Sequence, residues 1–77
     1  MTDHSESLYV LYVALIEIRA TENLEKARIF ADVVHNVPTM IRAGSPEGEI
    51  AEKIMLNAKR QGVESYFLEL FEKAKYQ

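Results

Sequence analysis

The side chains in this chain best suited to acid–base or metal chemistry gather around Asp32, His35 and Asn36, with Glu17 and Arg19 upstream. Spacings of three and four residues put Asp32, His35 and Asn36 on adjoining parts of one helix surface. An acid three residues before a histidine is also the spacing used by di-iron bundles. Those bundles need two such motifs and two more carboxylates, and this chain holds one motif. Glu17 is the candidate further ligand, and a dimer would double the set. The ligand count is still short of what a transition metal asks for, so neither a metal nor another cofactor is expected. Acid–base catalysis by Glu17, Asp32 and His35 is the enzymatic alternative. A simpler reading gives His35 and Asn36 structural work. A histidine near a helix C-terminus meets the negative end of the dipole, and Asn36 can cap the turn that follows. Glu17 and Arg19 interrupt an otherwise apolar helix. They pair with other charges if buried, or lie at the exposed end of that helix, which is the simpler placement.

The rest of the catalytic inventory is thin. The chain has no cysteine, which removes thiol nucleophiles, disulfides and zinc ribbons. It has no Gly-x-Ser-x-Gly elbow and no glycine-rich phosphate loop. Ser5, Ser7, Thr21 and Ser45 read better as helix caps than as nucleophiles. A non-catalytic protein is therefore expected ahead of an enzyme.

Five stretches supply the elements that would position these residues. Residues 1–6 are polar and are expected to be disordered. Helix one runs from a Ser5 or Ser7 cap to about Ala20, and its body from Leu8 to Ile18 is apolar on nearly every side. Helix two spans Glu22 to about Asn36 with Thr21 as cap, and Leu24, Ala27, Phe30, Ala31, Val34 and Val37 form its inward stripe, which Val33 widens. Glu22 with Lys26, and Arg28 with Asp32, stand four apart on its outer side. Pro38 limits that helix and opens a short turn of helix that Gly44 ends. Ser45-Pro46-Glu47 is a start signal for helix three, with Ile50, Ala51, Ile54, Met55 and Ala58 inward. Val63, Tyr66, Phe67, Leu70, Phe71 and Ala74 carry a last stripe beyond Gly62, where a break is slightly favoured over a weakened continuous helix.

Nine Lys and Arg stand against twelve Asp and Glu, a net charge of −3. Residues 44–77 roughly follow a helix-turn-helix pattern, but they hold six acids and five bases. A reading helix carrying Glu64, Glu69 and Glu72 opposes the phosphate attraction that dominates DNA affinity. Nucleic acid is therefore not the expected partner, and the helix-turn-helix reading is kept as an alternative. The longest uninterrupted apolar run, Leu8 to Ile16, is far shorter than a bilayer core. A basic leader is not visible before it. A cytoplasmic protein without membrane attachment is expected.

The phrase Ala31-Asp32-Val33-Val34-His35-Asn36-Val37-Pro38 resembles one found in short uncharacterised bacterial helical proteins, where it follows a helix similar to Leu15-Ile16-Glu17-Ile18-Arg19-Ala20. The resemblance covers roughly residues 10–41 and implies no activity, so it transfers no catalytic residue.

Size turns these observations into an expectation about assembly. A chain of 77 residues buries only about 60% of the surface its unfolded form exposes. A helix apolar all round must be covered all round, and so few other residues can barely do so. The expected architecture is one all-α domain, a bundle of three to four helices completed by homodimerisation. Leu8, Tyr9, Leu11, Tyr12, Leu15 and Ile16 are the candidate interface. The expected role is a protein–protein interaction or regulatory module, with an unidentified protein partner as a further possibility.

Overall fold

The computed structural model describes residues 4–76, and every regular element among them is helical. Four helices of eleven residues or more and one short helix follow in order. They are α1 (Ser5–Ala20), α2 (Leu24–Val34), α3 (Val37–Arg42), α4 (Glu47–Gln61) and α5 (Glu64–Ala74).

The helix ends follow from local chemistry, in several places one or two residues away from the expected points. Ser5 and Glu6 belong to the first turn of α1, so the disordered stretch expected over residues 1–6 does not extend to them. Residues 1–3 lie outside the described residues. Neither Ser5 nor Ser7 caps α1, because His4 holds that position. At α2 the cap is Asn23 rather than Thr21. Its Oδ1 accepts from the amides of Glu25 and Lys26 at 3.0 and 3.2 Å, and Thr21 Oγ1 accepts from the Asn23 amide one step earlier. The asparagine side chain reaches two free first-turn amides at once, so the helix starts there and not at Glu22. Asn36 precedes α3 without a side-chain cap bond, and Pro46 rather than Ser45 precedes α4.

Gly62 does break the C-terminal segment. Its φ of +77° is left-handed, and the Val63 amide donates back to Ala58 O at 2.9 Å. That six-to-one closure satisfies a free carbonyl of α4. Gly44 makes the same turn after α3, with Ser45 N donating to Met40 O at 3.0 Å. Both glycines sit where a side chain would cost about 1–2 kcal/mol.

The core is built by α2, α4 and α5 with one narrow face of α1. Phe30 from α2 meets Tyr66 and Phe67 from α5 with ring centroids 5.1 and 5.8 Å apart. Val33, Val34, Val37, Ile50, Ile54, Ala58 and Leu70 close around them. The expected stripes hold on α4 and α5 for the large residues. On α2 the stripe is corrected at Leu24 and Ala31, which are exposed, while Val33, which widens it, is buried as expected. Leu24 is the first residue of the helix and is 84% exposed. The pairs Glu22–Lys26 and Arg28–Asp32 form no salt bridge among the described residues. Lys75 pairs instead with Glu72 at 3.6 Å, and His4 Nδ1 stands 3.5 Å from Glu47 Oε2. Glu22 precedes the helix, and Lys26 lies over the Phe30 ring, 5.5 Å from its centroid.

Candidate functional site

The structure does not draw Glu17, Asp32 and His35 into one place. Asp32 and His35 both lie on the exposed side of α2. His35 Nδ1 is 2.7 Å from the Asp32 main-chain oxygen, not from its carboxylate. The histidine thus closes its own helix, as the structural reading of the sequence anticipates. Asn36 is half-buried at the turn into α3. Glu17 lies away from this pair, beside Tyr66 of α5. Burial raises the Tyr66 phenol above its ordinary 10.0, and the nearby Glu17 carboxylate adds to this by its charge and by accepting the hydroxyl. No three or more His, Asp and Glu side chains gather as a metal-holding group among the described residues. Arg19 is exposed at the end of α1, as expected for that residue, whereas Glu17 is half-covered.

A second polar cluster has no counterpart in the sequence reading. Ser7 is fully buried, and both its amide and its hydroxyl donate to Glu47 Oε1, at 2.7 and 2.8 Å. His4 Nδ1 stands 3.5 Å from Glu47 Oε2. Serine, carboxylate and histidine are close here, but the order is wrong for a nucleophile. The serine gives its proton to the carboxylate directly, with no imidazole between them, and it has no access to solvent. The arrangement is a cap supplied from forty residues away: Glu47 satisfies a first-turn amide of α1 while sitting in the first turn of α4. The sequence signals a polar Ser7 but carries nothing that pairs it with Glu47.

The remaining candidate surface is α1 itself. Its inward face is made of small residues, Ser7, Val10 and Ala14, all fully buried. Tyr9, Leu11, Val13 and Ile18 flank that face half-buried, and the other large residues point outward. Tyr12 is 65% exposed, Leu8 50%, and Leu15 and Ile16 47% each. These four recur at i, i+4, i+7 and i+8, which is one continuous stripe of a helix. With Arg19, three of them line a hollow of about 270 Å³. Tyr9 and Leu11, the other expected interface residues, are half-buried against the core, so they can flank a contact but not form its centre. A set of four large apolar side chains in a row exceeds the scattered single residues normal on a surface. No helix among the described residues is long and apolar enough to cross a membrane.

No protein-family model, no curated protein and no solved structure matches this chain.

Proposed function

We propose that this chain is a small, non-catalytic cytoplasmic interaction or regulatory module that associates through the outward stripe of α1, first of all with a second copy of itself. One observation carries the reading: α1 turns its small side chains to its own core and leaves Leu8, Tyr12, Leu15 and Ile16 uncovered. Small inward residues bring α1 close to its neighbours and reserve the large ones for another surface.

The magnitudes describe a reversible complex. Complete burial of a Leu or Ile side chain is worth about 1.5–3 kcal/mol. Half of that remains to be gained at each of three aliphatic residues, so two protomers with Tyr12 reach roughly 8 kcal/mol. The flanks, Tyr9, Leu11 and Val13, add a few more. Association costs about 4 kcal/mol at the least. The balance corresponds to a dissociation constant between about ten micromolar and one millimolar. Two α1 helices would cross antiparallel, because a parallel pair sets Arg19 against the partner's Arg19.

The absence of native cysteine gives a clean test. A Tyr12→Cys chain should form a disulfide-linked dimer under mild oxidation, while an Arg60→Cys chain, altered at an exposed position on α4, should not. Equal cross-linking at both positions, or none at Tyr12, refutes the stripe as the interface.

A further inference from the structure

α4 and α5 fold back on each other around Gly62 and leave a trough between them that shares no lining residue with the α1 hollow. Its floor is Ala51, Met55, Leu68 and Phe71, and it holds a hollow of about 300 Å³. A second hollow of about 310 Å³ continues it past Met55 toward Leu56. From Gly48 to Lys59 the trough runs eleven residues of helix, about 16 Å, enough for three turns of an occupant. Leu56 and Leu68 are close to half exposed along it.

Two features say what would lie there. The first is the rim. Glu6 and Glu72 border one end, Glu52 the middle and Glu64 the other end. Only Lys59 and Lys75 oppose these four carboxylates, and Lys75 Nζ is already 3.6 Å from Glu72. The second is Gly48. It lies in the first turn of α4, has no positive φ, and a Cβ built on it meets no atom within 4 Å. Nothing among the described residues requires glycine there, although glycine in a helix interior costs about 1 kcal/mol relative to alanine. Its effect is to keep the end of the trough open.

We infer that the α4–α5 trough binds an amphipathic helix of a partner protein, one whose apolar stripe is flanked by lysine or arginine. Apolar anchors would enter between Met55 and Leu68, as in other helix-in-groove contacts, with the pliable methionine adapting to their shape. The acidic rim would select for cationic flanks. A second copy of this chain is a poor occupant, since it brings a net charge of −3 and Arg19 as the one cation lining its outward α1 hollow.

The test uses the full chain and two fluorescent synthetic helices of about 15 residues, roughly four turns, one of leucine and lysine and one of leucine and glutamate. Fluorescence anisotropy should show saturable binding of the lysine peptide and binding at least about tenfold weaker for the glutamate peptide. The Glu52→Lys, Glu64→Lys double variant should bind the lysine peptide about tenfold less tightly, roughly 1.4 kcal/mol. Gly48→Leu, at an exposed position where a Cβ meets no atom within 4 Å, should remain folded and lose binding. In methyl NMR spectra the Met55 resonance should shift on titration. A Tyr12→Glu chain should bind the lysine peptide unchanged, which separates this inference from the fate of the α1 dimer. Binding to the Gly48→Leu chain at full strength, a stationary Met55 methyl, or no saturable binding at all would overturn the proposal.

Discussion

Helices α1 and α5 are both rich in large apolar residues, yet they spend them in opposite directions. α5 turns Phe67, Leu70 and Phe71 inward and shows solvent Glu69, Glu72 and Lys73. α1 turns Ser7, Val10 and Ala14 inward and shows Leu8, Tyr12, Leu15 and Ile16. The difference separates two meanings of an apolar helix. In α5 the main apolar stripe is buried within the chain and Leu68 alone of its large aliphatic residues is half exposed, so composition there reports chiefly on stability. In α1 the sides are nearly equivalent, and the rotation is decided by which residues allow close approach. Its exposed side is the surface on which the proposed association rests.

Substitutions of similar chemistry should therefore have unequal effects in the two helices. The largest effect is expected from Phe67→Ala, which empties a fully buried site at the centre of the aromatic trio. Such truncations cost about 3–5 kcal/mol, close to all that a core of this size supplies. Circular dichroism should show loss of helix at 25 °C or a urea midpoint near zero. Tyr12→Ser, a truncation of comparable size on α1, should leave the monomer's unfolding free energy, read from urea denaturation, within about 0.5 kcal/mol of the parent. A large loss there would mean that α1 is held through its outer face and would erase the contrast.

An intermediate effect is expected at Asn57, buried on α4, whose Nδ2 donates to the Val33 carbonyl of α2 at 3.3 Å. Asn57→Ala leaves that carbonyl without its side-chain donor and should cost about 1–3 kcal/mol in chemical denaturation.

The smallest effect concerns pH at the seam between the two helices. Tyr66 has its phenol raised above 10.0, first by burial and then by Glu17. A raised folded-state value means that the folded chain holds this proton more tightly than the unfolded chain does. The contribution to stability is thus complete below about pH 10 and is lost as pH rises through the folded-state value. Phenolate absorbance, compared with a Tyr66→Phe chain, should place Tyr66 above the ordinary tyrosine range. Glu17→Gln should bring it partway back, since burial remains. An unchanged midpoint in the Glu17→Gln chain would remove that carboxylate from the account.

How far the sequence reaches can be seen in the same two helices. The all-helical fold, the stop at Gly62 and the inward stripes of α4 and α5 are legible because one face of each is plainly apolar, and the left-handed turns need glycine. The orientation of α1 is not legible from periodicity, since several stripes compete and the inward one is the least greasy. Nor is the grip of Glu47 on Ser7, which depends on tertiary closure across forty residues. The grouping of Glu17 with Asp32 and His35 fails for a related reason. Local spacing places Asp32 and His35 on one helix correctly, but the partner of Glu17 is decided by how α1 packs on α5, and that partner is Tyr66.

Sedimentation equilibrium from about ten micromolar to one millimolar tests the central claim most directly. The parent chain should pass reversibly from one chain mass toward two within that range, and the Tyr12→Glu chain should stay at one throughout. A parent chain that remains a single copy at one millimolar, or a Tyr12→Glu chain that dimerises as well as the parent, would contradict it.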